Sequence, residues 1–229
     1  MAKGKKISRK KLLNEPDEFI TMSAKLFRLA VEYKKHIMVS VGIVLGLIVI
    51  GSVIHFFSVR SETKAFALFD QSLKTFGTHL QEQGPAKALE AVEKDFKTLL
   101  TKYSRKNAAK LGRVIIANLY HNSDRTDEAI ALYQKAQDEF RDNAFYHNLI
   151  LSQLGYAYEK KQNYGEAIKY FEMIANGPDP VIKDGAVFNL GRLYELNGEK
   201  EKSIDAFKKI VTDYSDSMYY KLAQEKLSG

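Results

Sequence analysis

The chain has 229 residues, 45% of them hydrophobic and 28% charged, so it has room for one or two packed domains and is not wholly disordered. Its net charge of +7 belongs to the beginning of the chain, because residues 1–36 carry ten basic and four acidic side chains while 37–229 are almost balanced. The sequence contains no cysteine, which excludes disulfides, thiolate metal sites and thiol nucleophiles.

Residues 1–36 are predicted to form a basic cytoplasmic tail in two parts. The first part contains six clustered basic residues: Lys3, Lys5, Lys6, Arg9, Lys10 and Lys11. These residues either adhere to anionic lipid headgroups or remain a solvated, disordered tail. The second part begins near Pro16, and apolar residues then recur at helical steps: Ile20, Ala24, Phe27 and Val31. This spacing predicts an amphipathic helix in the membrane interface or packed on a membrane partner. Without interleaved aromatic residues, the basic cluster predicts no nucleic-acid partner.

Residues 37–57 are predicted to be a transmembrane signal anchor. They carry no formal charge, and 14 of these 21 residues are Ile, Val, Leu or Phe. As a helix the segment would span about 31 Å, which matches a bilayer core. No small-residue cleavage site follows, so the anchor is expected to be uncleaved. Ten basic residues precede it and three occur in the next 20, which places the N-terminus in the cytoplasm and residues 58–229 outside it.

Gly42 and Gly46 form a GxxxG pair within this span. Such a pair lets another membrane helix approach closely, and it would support a homo-oligomer. The alternative is a chance spacing, because glycine is frequent in membrane helices.

Residues 58–229 contain an internal repeat, and the segments between their glycines and prolines have helical rather than strand periodicity. The first well-formed unit has Leu154, Gly155, Tyr158, Ala167 and Phe171. The second, 36 residues later, has Leu190, Gly191, Tyr194, Ser203 and Phe207. This pattern resembles the tetratricopeptide repeat. The resemblance implies that the small residues lie where paired helices cross closely and that the large ones fill the gaps between helices.

Two further units are less regular. The third has Ile116, Ala117, Tyr120, Ala129, Tyr133 and Ala136. Residues 96–104 resemble residues 207–215, which predicts a helix over 86–104 paired with a first helix over 60–80. Residues 218–227 are predicted to cap the stack. The tryptophan of the repeat family is replaced by Arg113, Leu151 and Val187. The predicted fold is therefore all-α: one transmembrane helix followed by a tetratricopeptide α-solenoid of about three and a half units.

The first helices of stacked pairs form a concave surface, and its exposed positions are the candidate binding residues. By repeat position they fall in three groups: Val114, Asn118 and His121; Ser152, Tyr156 and Glu159; Phe188, Arg192 and Glu195. The proposed protein-binding set within them is Asn118, Ser152, Tyr156, Phe188 and Arg192. The alternative for each residue is packing between helices. Repeat domains that clamp a chaperone's C-terminal carboxylate use several Lys and Asn at such positions, and only Asn118 would match.

The sequence predicts no catalytic residue, cofactor or metal ligand. Its five histidines fall in no metal-ligand spacing, and no nucleophile elbow, phosphate loop or dinucleotide fingerprint occurs. The acidic pairs Asp127-Glu128 and Glu199/Glu201 are typical of solvated helix termini. We therefore expect a binding protein rather than an enzyme.

The arrangement of a basic tail, one signal anchor and a small cysteine-free repeat domain is similar to the YfgM-like ancillary subunits of the SecYEG translocon in Gram-negative bacteria. The resemblance implies an inner-membrane protein with a periplasmic binding domain. It also implies three kinds of partner: translocon subunits, a membrane-anchored prolyl isomerase or other periplasmic chaperone, and exported chains. A scaffold for cell-envelope assembly or division is the alternative, and an unrecognised enzyme is the third hypothesis.

Overall fold

The computed structural model describes residues 18–228, with side chains from Met22 onward. The polybasic residues and the start of the tail near Pro16 lie outside this part of the chain. Residues 18–228 form helices and no strand, as the sequence predicts. The helices are α1 (Glu18–Glu32), α2 (Lys34–Gln83), α3 (Pro85–Lys102), α4 (Asn107–Asn122), α5 (Thr126–Glu139), α6 (Ala144–Lys160), α7 (Tyr164–Ala175), α8 (Lys183–Leu196), α9 (Lys200–Asp213) and α10 (Tyr220–Ser228).

The chain divides into two compact units, the first ending at Val59 and the second beginning at Arg60. Helix α2 begins in the first unit and ends in the second, and it is long and apolar enough to cross a membrane. All its side chains from Ile37 to Phe57 are exposed, and an added Cβ at Gly42 or Gly46 would meet no other atom within 4 Å. The apolar surface of α2 is therefore left uncovered by the described part of the first unit.

The second unit is a stack of antiparallel helix pairs, in which α4 packs on α5, α6 on α7 and α8 on α9. Each pair contacts the next, and α10 packs on α9 at the end of the stack.

The helix starts have local causes. Pro85 begins α3 after Gly84, whose φ is 82°, and the Asn143 side chain accepts a hydrogen bond from the Tyr146 N–H. The Glu62 carboxylate accepts the N–H groups of Asn107 and Ala108 at the start of α4.

The same turn joins the two helices of each of the last three pairs. A backbone carbonyl in the first helix accepts a hydrogen bond from the residue five positions later: Tyr120 from Arg125, Tyr158 from Asn163 and Tyr194 from Glu199. The residue before each donor has a positive φ: Asp124 at 62°, Gln162 at 60° and Gly198 at 80°. The repeated tyrosines therefore mark one recurring backbone geometry, of which only the last copy uses glycine.

The repeat glycines lie where paired helices approach closely. A Cβ added at Gly155 would come within 3.0 Å of the Phe171 ring, and one at Gly191 within 3.0 Å of the Phe207 ring. Most of the other predicted packing residues are buried: Leu154, Ala167, Phe171, Leu190, Tyr194 and Phe207. Tyr158 is half-buried and stacks on Tyr170 with ring centroids 5.5 Å apart.

The stack contains two apolar cores. The first lies among α2, α3 and α4 around Phe69, Phe96 and Leu99. The second extends from α4 to α10 and includes Leu154 and Phe207. Val114, which we expected on the concave surface, is only 7% exposed and belongs to the second core. That expectation was wrong, because the side chain packs between helices instead of facing solvent.

Candidate functional site: a groove between α6 and α8

A concave site of the second unit is a cavity of about 290 Å³ between α6 and α8, which we call the α6–α8 groove. Its main lining residues are Phe145, Asn148, Leu149, Ser152 and Tyr156 of α6, Asp179 and Val181 of the loop before α8, Asn189 of α8, and Tyr219. Four of the α6 residues recur at helical spacing and therefore share one helix face: Phe145, Leu149, Ser152 and Tyr156. The groove thus lies between the first helices of two neighbouring pairs.

Exposed apolar side chains are concentrated in this groove. Phe145 is 70% exposed, Val181 79%, and Leu149 and Tyr156 each 38%. Behind them, the Tyr156 ring meets the buried Phe171 edge to face at a centroid distance of 5.2 Å. A contiguous group of exposed apolar side chains on a soluble domain is typical of an interaction site.

Two buried asparagines fix the polar groups of the groove. The Asn189 amide donates to the Tyr156 hydroxyl at 3.1 Å and to the Gly185 carbonyl at 2.9 Å. The Asn148 amide donates to the Asp179 carboxylate at 3.3 Å. The Tyr156 oxygen accepts the hydrogen bond from Asn189, so the Tyr156 hydroxyl proton is not used in that bond. Rotation of the hydroxyl can direct this proton to a ligand.

One end of the groove is acidic. Asp179 lies in the groove, and Asp184, Asp213 and Asp216 line an adjoining cavity of about 350 Å³ that shares Val181 with it. We call these four carboxylates the acidic rim. Burial and then the neighbouring Tyr156 and Asp184 raise the pKa of Tyr219. Burial, followed by Asp213 and Asp184, raises the pKa of Tyr214 in the same way. These two tyrosines thus lie in the negative field of the rim.

The structure brings together only two of the predicted binding residues, Ser152 and Tyr156. Phe188 is half-buried behind the groove, where it stacks on Tyr219 at a centroid distance of 4.7 Å. Arg192 is engaged by Glu159, with Nη1 3.2 Å from the carboxylate oxygen. Asn118 lies on α4 and accepts a hydrogen bond from the Tyr133 hydroxyl.

Two other concave residues also make polar contacts. Glu195 pairs with Lys226 at 2.8 Å, and the backbone carbonyl of His121 accepts a hydrogen bond from Lys160, whereas His121 Nδ1 is buried without a hydrogen-bond partner among the described residues. Of these concave positions, Arg192 and Glu159 are the two that bind one another, across the neighbouring helices α8 and α6.

Several groove residues were not predicted from the sequence: Phe145, Asn148, Leu149, Val181, Asn189 and Tyr219. The spacing of Phe145 and Leu149 with Tyr156 was a readable signal for the α6 face. Val181 and Tyr219 gave no such signal, because they lie outside the repeating helices and reach the groove through tertiary packing. Among residues 18–228, no group of three or more His, Asp or Glu side chains is arranged to hold a metal ion.

Two family descriptions match this chain. The family described as "Soluble NSF attachment protein, SNAP" matches residues 59–178, and the family described as "Tetratricopeptide repeat" matches residues 186–217. No curated protein matches the sequence.

Solved structures of similar fold include the nearly identical TPR-like repeats described as a putative kinesin light chain of Podosopora anserina, and a singly substituted form of the same repeats. Each has a TM-score of 0.54 and 14% sequence identity, and the match covers 72% of this chain and 84% of the other. The likeness concerns the fold, and it confirms the predicted tetratricopeptide-like α-solenoid.

Proposed function

Because the chain belongs to the family described as "Soluble NSF attachment protein, SNAP", and also carries a tetratricopeptide repeat, we propose that it is a membrane-anchored scaffold that binds other proteins. Tetratricopeptide solenoids are typical of non-catalytic interaction proteins, since their stacked helices present an extended concave surface. The observation that carries the proposal is the α6–α8 groove, whose exposed Phe145, Leu149, Tyr156 and Val181 form an apolar site with fixed polar groups.

Membrane anchoring is supported by α2, whose uncharged segment from Ile37 to Phe57 is exposed along its whole length. Leaving so many apolar side chains in water is unfavourable, by about 1.5–3 kcal/mol for each large one relative to burial. A bilayer would cover them. The excess of basic residues before this segment supports a cytoplasmic N-terminus and a repeat domain on the other side.

We further propose that the partners belong to protein export: translocon subunits, a membrane-anchored prolyl isomerase or other periplasmic chaperone, and newly exported chains. This proposal depends on the resemblance to YfgM-like subunits in the order of tail, anchor and repeat domain. It also predicts a location in a bacterial inner membrane with the repeat domain in the periplasm. The α6–α8 groove suits chains that expose apolar side chains before folding.

Site-specific photocrosslinking in intact membranes tests the partners. A photoreactive residue at Phe145 lies in the groove, and one at Met173 on α7 is a matched exposed apolar control outside it. We expect export components or exported chains to be captured from position 145 and not from position 173. Capture of envelope-assembly or division proteins instead would favour the alternative scaffold. Recovery of neither group, by crosslinking or by capture in mild detergent, would reject the export proposal.

Orientation is tested by reporters fused after Gly229. An enzyme that folds actively only outside the cytoplasm should be active in this fusion, and a reporter that requires the cytoplasm should be inactive. Activity of the cytoplasmic reporter alone would contradict both the orientation and the export role, while leaving a protein-binding scaffold possible on the other side of the membrane.

A further inference from the structure

We propose that the α6–α8 groove selects an extended segment of its partner in which a large apolar side chain lies beside Lys or Arg. This inference rests on the proposed protein-binding function and specifies the chemistry of the ligand. It follows from three properties of the groove: its volume, its exposed apolar wall, and the sign of the charge at one end.

The volume suits a single large side chain. The cavity of about 290 Å³ is at the lower limit of the ~300–1,000 Å³ common for small-molecule pockets. Phe145, Leu149 and Val181 form exposed apolar walls, and the Phe171 ring lies behind them. An apolar side chain inserted here would cover these walls and be covered by them, as anchor residues do at protein interfaces.

The polar groups suit a peptide backbone passing over this anchor. Asn148 and Asn189 are 9% and 7% exposed, and hydrogen bonds hold their amides in place. The Tyr156 hydroxyl accepts from Asn189 and can donate its own proton to a backbone carbonyl. These groups are neutral, so they give no preference for a charged terminus.

The charge at one end is negative and not neutralised by an ion pair. None of Asp179, Asp184, Asp213 and Asp216 is among the salt bridges of residues 18–228. Among the residues that the structure describes, no Lys or Arg lines the groove or the adjoining cavity, and Lys183, next to Asp184 in the chain, is absent from both linings. Four carboxylates beside an apolar cavity favour a partner with a basic residue close to its apolar anchor.

The chain has no tryptophan, so a tryptophan in a peptide is a specific probe of binding. Three blocked peptides differ only at two positions: Gly-Lys-Ala-Trp-Ala-Lys-Gly, the same with Gln for Lys, and the same with Glu for Lys. The full chain is placed in nanodiscs of zwitterionic lipid, and empty nanodiscs measure adsorption to lipid. Binding is read as a blue shift of tryptophan emission on titration.

We expect the Lys peptide to bind at least tenfold more tightly than the Glu peptide, with the Gln peptide between them. Added salt should weaken binding of the Lys peptide and leave binding of the Gln peptide nearly unchanged. The triple variant Asp179→Asn, Asp213→Asn, Asp216→Asn keeps only Asp184, which accepts a hydrogen bond from the Ser217 hydroxyl, so the difference between the Lys and Glu peptides should shrink to about fivefold or less. The asparagines keep an acceptor oxygen, and each lost charge should lower the affinity for the Lys peptide about twofold to fivefold.

A second variant tests the apolar anchor. Phe145→Ser with Val181→Ser changes two largely exposed side chains and should abolish the blue shift of all three peptides, whereas Met173→Ser on α7 should not. Equal binding of the Lys and Glu peptides would overturn the preference for basic residues while leaving the groove as a binding site. Absence of binding by every peptide would overturn the inference, and photocrosslinking from Phe145 would then decide the proposed function separately.

Discussion

Arg113 and Glu139 form an ion pair between α4 and α5, in which the Arg113 side chain is 1% exposed and that of Glu139 20%. Arg113 stands where the repeat family has tryptophan, and its Nε and Nη2 are buried without a hydrogen-bond partner among the described residues. Here a guanidinium occupies a core position that the buried side chains of Leu151 and Val187 fill in the next two units, and Glu139 is its counter-charge.

Removing the Glu139 charge should therefore lower the free energy of unfolding more than removing the Arg113 charge. Glu139→Gln leaves a buried cation without its partner, and we expect a loss of about 3–5 kcal/mol in the free energy of unfolding. Arg113→Met replaces the cation by an apolar side chain and should be neutral or stabilising, because Glu139 is partly hydrated. Urea denaturation of both variants and of the double variant measures this difference. Equal losses in the two single variants would contradict it.

Gly155→Ala should destabilise the stack although alanine is the better helix former. The new Cβ would lie within 3.0 Å of the Phe171 ring, which is 1% exposed and enclosed by the second core. Overpacking of this kind costs about 1–3 kcal/mol, against a gain of about 1 kcal/mol in helix propensity. Gly165 in α7 is the matched control, since a Cβ there meets nothing within 4 Å. Thermal unfolding should show Gly165→Ala unchanged or more stable, and a more stable Gly155→Ala would contradict the close approach.

Phe188→Ala should act mainly on stability. Phe188 stacks on Tyr219 and meets Phe207 edge to face at 5.8 Å, so truncation removes packing between α8, α9 and the segment before α10. We expect a loss somewhat below the ~3–5 kcal/mol of a fully buried phenylalanine. Phe145→Ala, at a 70% exposed position, should change the melting temperature little and weaken partner capture. The opposite pattern would return Phe188 to the binding surface, as the sequence first suggested.

Acidification should lower the free energy of unfolding of the repeat domain at a pH above the range in which its carboxylates titrate. Burial, and then the Lys160 cation, lower the pKa of His121 below its ordinary 6.5, and burial with Arg141 lowers that of His147. The unfolded state then binds more protons than the folded state below pH 6.5, so the free energy of unfolding falls as the pH drops through this range. His121→Gln with His147→Gln should flatten this fall in denaturation measured from pH 7 to 5. A slope unchanged by the double variant would show that other groups cause it.

The helices were predictable because their signals are local. The spacing of Leu154, Gly155 and Tyr158, repeated 36 residues later, depends on contacts that every unit makes in the same way. The repeated turn after each tyrosine has the same origin. The helix over Pro85–Lys102 was predictable for a related reason, since residues 96–104 copy the later segment 207–215.

The α6–α8 groove was only partly predictable from the sequence. Repeat position shows which residues lie on the concave face, but it does not show which of their side chains are covered by neighbouring helices. Val114 and Phe188 lie at positions expected to be exposed on the concave surface, yet adjacent helices cover the first almost completely and Tyr219 stacks on the second. Val181 and Tyr219 come from segments between helices that have no repeat register. The position of Val181 depends on the path of the chain around Pro178 and Pro180, and that of Tyr219 on the segment between α9 and α10. No periodic pattern encodes either path.

Helix α4 contributes to both apolar cores, with Ala108, Ala109 and Ile116 in the first and Val114 and Ala117 in the second. In a linear stack each element is stabilised only by its neighbours, so partial unfolding can begin at either end. Partial unfolding that begins at α10 leaves the first core intact, and partial unfolding that begins at α3 leaves the second core intact. Loss of α4 alone would disrupt both cores at once, which makes this helix the element on which the cooperativity of the whole repeat domain depends.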